Sequence, residues 1–164
     1  MAKQYQSARV VLTNALKYVA DSSPVARDIY VDRARAEGGE KDFAAALNDL
    51  DKAIDIDPAK PEPYIYRASA LRETNQIDLA ASDIETALKL DPGNLDAVLE
   101  RGYIRQVRKN YDGARQDWQY VVDNGKGSPV AEQAEKNLAA LDGDADQVPA
   151  DHSAETSGSD SPAK

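Results

Sequence analysis

At 164 residues, 41% of them hydrophobic, the chain has room for one packed domain and a tail, and its formal charge of -9 excludes general binding to phosphate backbones. It has no cysteine, which excludes a disulfide framework and a thiolate metal site. Its longest early apolar run, Val10-Val11-Leu12, is too short for a signal peptide or a membrane span, so the expectation is a soluble chain of the cytoplasm or periplasm.

Helical periodicity begins at once. Between Lys3 and Ala20, the residues Ala8, Val11, Leu12, Ala15, Leu16 and Val19 recur at three- and four-residue steps and make one apolar face. Asp21-Ser22-Ser23-Pro24 breaks that helix and supplies a cap for the next. Val25 to Glu37 reads as a helix stopped by Gly38-Gly39, and Asp42 to Ile56 as its antiparallel partner. The pair recurs as Pro61 to Thr74 with Ile77 to Leu90, and again as Leu95 to Lys109 with Tyr111 to Val122. Asp57-Pro58 and Asp91-Pro92 separate the pairs, because proline lacks an N–H and restricts the residue before it. Ser128-Pro129 opens a last helix to about Leu141, with Ala131, Ala134, Leu138 and Leu141 on its one apolar stripe. Beyond Leu141 six acids stand against Lys164, leaving the tail at about -5 and the body at about -4. The tail has almost no bulky apolar residue and is expected to be disordered.

The pairs repeat with a period of 34 residues. Pro24, Pro58 and Pro92 keep it, as do Tyr30, Tyr64 and Val98. So do Arg33, Arg67 and Arg101; Ala46, Ala80 and Ala114; and Asp49, Asp83 and Asp117. Such a period means stacked supersecondary units with a concave surface for partners, an all-α solenoid rather than a closed globule.

Residues 27–128 resemble three tetratricopeptide repeats, at 27–60, 61–94 and 95–128. Small residues stand at Ala34, Ala68 and Gly102, and at Ala46, Ala80 and Ala114. Bulky ones stand at Leu50, Ile84 and Trp118, with Ala53, Ala87 and Val121 after them. Pro58 and Pro92 close repeats, and Lys126 replaces a third proline. Glu37 and Arg105 depart from the aromatic or aliphatic residue usual in the family, and looser packing is expected there. Residues 1–26 resemble part of a diverged earlier repeat, 129–141 a capping helix, and 142–164 the acidic tail. The resemblance implies a right-handed superhelix of antiparallel helix pairs. It also implies a non-catalytic adaptor that holds a peptide or helix of a partner protein in its groove.

Helical spacing with the family's contact sites points Asp28, Val31 and Arg35 into the groove from the first repeat. Glu62, Ile65, Ser69 and Arg72 follow from the second, and Asp96, Leu99, Tyr103 and Gln106 from the third. Apolar residues at equivalent places, flanked by Asp28, Glu62, Asp96 and Glu100, favour an apolar partner segment with some positive charge. The related domains that hold a C-terminal carboxylate of a chaperone use Lys, Arg and Asn at places that here carry Val31, Arg35, Ile65, Ser69, Asp96 and Glu100. Only Arg35, with Arg72 nearby, could help there, and two acids stand where bases are needed. The expectation is therefore no carboxylate clamp. The pairs Arg33/Asp49, Arg67/Asp83 and Arg101/Asp117, each 16 apart, read as structural ion pairs rather than a ligand-reading row.

Nothing in the sequence supports catalysis, a metal, a cofactor, nucleic acid or a membrane. The one histidine, His152, lies in the tail, and Gly38-Gly39 does not follow a strand as a phosphate loop would. Asp142, Asp144 and Asp146 lack the later glycine and glutamate of a calcium loop. The second reading is self-assembly through the apolar face of the first helix, or a regulatory domain of a longer protein.

Overall fold

The computed structural model describes residues 2–145. Helix α1 spans Ala2–Ala15 and runs into a 3-10 turn at Leu16–Tyr18. Three antiparallel pairs follow: α2 (Pro24–Gly39) with α3 (Phe43–Ile56), α4 (Pro61–Glu73) with α5 (Ile77–Leu90), and α6 (Leu95–Val107) with α7 (Tyr111–Asn124). Helix α8 (Pro129–Ala145) closes the described chain. Side-chain oxygens of Ser23, Asp42, Asn94, Asn110 and Ser128 accept from backbone N–H groups at helix starts, which satisfies donors that no helical carbonyl can reach.

The turn inside each pair corrects one expectation. Gly38 and Gly39 do not stop α2; they are its last two residues. The chain reverses at Lys41, Asn75 and Lys109, which have φ of 62°, 62° and 61°. In each case the next residue's N–H (Asp42, Gln76, Asn110) reaches back to the carbonyl of Glu37, Leu71 or Arg105. That is the six-to-one closure of a helix end, built on a left-handed residue that glycine more often supplies. Helix α8 also runs past Leu141 to Ala145, and residues 146–164 of the expected tail lie outside the described residues.

The core is a column of small-on-large contacts. Ala34 packs with Ala46 and Leu50, Ala68 with Ala80 and Ile84, and Ala114 with Trp118 and Val121. Gly102 lies so close to Trp118 that a Cβ there would stand 2.3 Å from the indole nitrogen. First helices touch along the stack, α2 with α4, α4 with α6 and α6 with α8, whereas successive second helices barely meet. The stack is tighter on the first-helix side, so it curves towards that side and makes it concave.

Candidate functional site

The concave wall is built by side chains that reach from one first helix to the next. The guanidinium of Arg35 lies 5.3 Å from the ring centre of Tyr66. Arg72 lies 5.0 Å from the ring centre of Tyr103 and donates through Nε to Glu100 Oε1 at 2.6 Å. Tyr103 Oη donates to Asn137 Oδ1 at 3.2 Å, and Gln133 Nε2 donates to the same oxygen at 3.0 Å. Asn137 Nδ2 is buried and has no hydrogen-bond partner among the described residues. Burial pushes the Glu100 carboxyl upward, and Arg72 opposes that shift.

Asp28, Arg35, Glu62 and Asp96 are exposed, while Val31, Ser69, Arg72, Leu99, Tyr103 and Gln106 are partly exposed. Ile65 does not line the groove. It is 7% exposed and belongs to the core cluster with Ala80 and Ile84 of α5 and Ala97 and Ile104 of α6, because α4 has a helix pair on either side. Leu99 and Tyr103 pack against the cluster around Trp118, so the apolar stripe is largely core. Asp28 is held by Arg27 at 2.7 Å and Glu100 by Arg72, which leaves Glu62 and Asp96 without a cation within 4 Å among the described residues.

The sequence reading missed Tyr66, Gln133 and Asn137. The period held the signal for one of them: Arg35, Ser69, Tyr103 and Asn137 are spaced by 34, so the groove continues into α8.

The periodic arginines lie on the carboxylates. Arg33 Nε stands 2.5 Å from Asp49, Arg67 Nη2 2.7 Å from Asp83, and Arg101 Nη2 2.7 Å from Asp117. Arg105 adds a second contact to Asp117 at 2.8 Å and donates to the Gly113 carbonyl. Glu37 is buried beside Arg33. Neither departure from the repeat pattern therefore leaves a gap; charge fills both. Among the described residues no group of three His, Cys, Asp or Glu side chains could hold a metal ion. No described helix is long and apolar enough to cross a membrane.

Stacked antiparallel helix pairs, a concave wall of polar and aromatic side chains and an ion-paired interior define a helical-repeat solenoid. Tetratricopeptide repeat models match residues 28–60 and 67–129, more than half of the chain. The chain belongs to the tetratricopeptide repeat family. Among solved structures it is similar to the Arabidopsis OM64 TPR domain, with 26% identity, a TM-score of 0.63, and coverage of 74% of this chain and 98% of that one. It is also similar to the first TPR of Spaghetti (RPAP3) bound to the HSP90 peptide SRMEEVD, with 20% identity, TM-score 0.65, and coverage of 74% and 96%. The second TPR domain of human RPAP3, in complex with the HSP70 peptide SGPTIEEVD, gives 23% identity, TM-score 0.60, and coverage of 73% and 98%. A comparison with curated proteins gives no match.

These complexes correct the expectation about partners. Domains of this fold hold chaperone peptides, so the exclusion of a carboxylate clamp does not stand. Of the two acids behind it, one is neutralised and the other sits at a helix start. Glu100 is not a free acid in the groove, since its charge is taken up by Arg72. Asp96 sits in the first turn of α6, where the helix end offsets negative charge. The preference for a positively charged partner rested on Asp28, Glu62, Asp96 and Glu100, of which Asp28 and Glu100 are paired with arginines and Glu62 and Asp96 have no cation within 4 Å among the described residues.

Proposed function

We propose that the groove formed by α2, α4, α6 and α8 holds a segment of a partner protein, and that acidic chaperone-type peptides are among the segments it can accept. The observation that carries this reading is the chain of contacts Arg72–Tyr103–Asn137–Gln133. It fixes side chains of three first helices along one wall and leaves the Asn137 amide with a donor to spare. Fixed polar groups on a rigid scaffold are what peptide recognition needs, because little side-chain freedom remains to be lost on binding. Arg35, Ser69 and Gln106 offer further polar contacts along the wall, with Asp28, Val31, Glu62, Asp96, Leu99 and Tyr103 around them.

A photo-crosslinking residue at Gln106 tests the site in cells of the source, with Glu85 on the outer helix α5 as control. The expected result is a crosslinked protein from position 106 and none from 85. Equal crosslinking from both positions would move the interaction off the groove. Anisotropy titration with labelled SRMEEVD then decides the chaperone class: binding weakened at least tenfold by Arg35→Glu supports it, and no binding at about 1 mM removes it.

A further inference from the structure

At the α1 end of the stack the concave wall opens into an apolar recess of about 970 Å³. Tyr5, Val11 and Leu12 of α1, Phe43 and Leu50 of α3 and Tyr66 of α4 line it. Two local facts produce it. Gly38 stands on its wall with nothing within 4 Å of where a Cβ would be, so the space at that position of α2 is left open. Helix α1 packs on α2 without a pairing helix of its own among the described residues, so Val11 stays 66% exposed. The volume suits two or three anchors of a helix at successive turns rather than one side chain.

The charged residues that line the recess are balanced, Arg35 and Lys41 against Asp32 and Glu73, on a protein that is acidic as a whole, and the neighbouring helix α1 adds only bases. From Ala2 to Ala20 there is no acid, and Lys3, Arg9 and Lys17 are the charged residues. Of the nearby acids, Glu40 pairs with Arg9 at 2.8 Å, Asp32 with Arg35 at 3.3 Å and Glu73 with Arg72 at 2.7 Å, while Asp42 accepts from the Ala45 N–H as the cap of α3. Lys3, Lys17 and the recess-lining Lys41 have no carboxylate within 4 Å among the described residues, and they sit on a chain of formal charge -9.

We infer that this recess docks an acidic amphipathic helix of another protein, its large apolar side chains seated over Gly38 and its carboxylates facing Lys41 and the α1 lysines. Two other occupants fit worse. A second copy docking through α1 would bring Lys3, Arg9 and Lys17 of both copies together. The chain's own residues 146–164 are acidic but contain Val148 as their one bulky apolar residue, too little to fill the space. The recess shares Arg35 and Ser69 with the groove, but the inference does not depend on peptide binding along α6 and α8.

The test uses the full chain and three labelled 16-residue peptides, followed by anisotropy and sedimentation. One carries leucines at i, i+4, i+7 and i+11 with glutamates elsewhere, one has the glutamates changed to lysine, and one has the leucines changed to alanine. The acidic leucine peptide is expected to bind below about 100 μM and each of the others at least tenfold more weakly. Gly38→Leu, which fills the recess from inside a helix, is expected to abolish binding with the fold retained by circular dichroism. Val11→Asp, at an exposed position, and Lys41→Glu are each expected to weaken binding at least fivefold. Equal binding of acidic and basic peptides, unchanged binding to Gly38→Leu and Val11→Asp, or no binding of the acidic peptide at about 100 μM each overturns the inference. So does binding lost in Gln106→Trp but kept in Gly38→Leu, a result that would leave the groove reading intact. A dimer dissolved by Val11→Asp, or capture on phosphatidylserine vesicles in place of the peptide, would assign the recess to another occupant and also overturn it.

Discussion

Glu37 is the residue at which the repeat pattern and the chemistry diverge most. A carboxylate stands where the family usually has an aromatic or aliphatic side chain, is 5% exposed, and has one oxygen without a hydrogen-bond partner among the described residues. Burial is the largest influence on it; Asp49 and Asp42 push the same way, Arg33 and Arg9 oppose them, and its pKa is raised to about 7. The unfolded chain releases this proton near pH 4.5 and the folded chain near 7, so between those values the folded state binds more proton. Its contribution to stability therefore falls as pH rises through that window and stays low above it. Glu37→Gln is expected to be more stable than the wild type by about 1–3 kcal/mol at pH 8, with the difference shrinking towards zero near pH 5. Thermal melts of both proteins at pH 5, 6, 7 and 8 check this, and a difference independent of pH would contradict it. The sequence showed that Glu37 breaks the pattern. It could not show that Arg33, four residues before it, already spends its two strongest bonds on Asp49 and leaves Glu37 at 3.8 Å.

Helix pairs were the most legible level, because their contacts obey the 34-residue spacing. Small and bulky sites trade volume between repeats: alanine faces Leu50 and Ile84, and glycine faces Trp118. Gly102→Ala would push a methyl group into the indole, whose N–H donates to the Leu99 carbonyl at 3.3 Å and whose ring meets Tyr103 edge-on at 5.6 Å. Overpacking costs about 1–3 kcal/mol, and removing a helix glycine returns up to about 1 kcal/mol. A net loss of stability is expected by urea denaturation, and Gly102→Ala with Trp118→Leu together should recover part of it. The turns were less legible. Gly38-Gly39 looked like a helix stop, yet the left-handed positions belong to Lys41, Asn75 and Lys109. A lysine in that conformation carries no mark in the sequence; only comparison of the three turns, residue for residue, would have shown that the reversal lies two residues beyond the glycines. Burial of Ile65 was hidden for a related reason, since its cover comes from a neighbouring repeat rather than from its own helix.

The whole molecule behaves as a short one-dimensional array, in which each pair is stabilised by its neighbours. Helix α8 covers Val98, Trp118 and Val121 with Ala134 and Leu141 while presenting Glu132, Gln133, Glu135 and Lys136 to solvent. A chain ending at Ser128 should lose amide-exchange protection in α6 and α7 while α2 and α3 keep theirs. Uniform loss along the stack would show instead that the array unfolds as one unit. Such gradation is invisible in a sequence that repeats itself, because equivalent residues differ only in what lies beyond them.

The ion pairs differ in reach. Arg67 bonds Asp83 in its own pair and Asp51 in the pair before, at 2.7 Å each, and Arg33 likewise spans from Asp49 to Thr13. Arg101 bonds Asp117 of its own pair. The junction between the second and third pairs is instead crossed by Arg108 with Asp78, and by Arg72 with Glu100 on the concave side. One guanidinium, that of Arg72, thus ties two neighbouring units together on the concave side. A guest carboxylate that takes the remaining Nη2 donor of Arg72 shares that guanidinium with Glu100 and Glu73, so the junction between two units and the charge of the guest draw on one side chain.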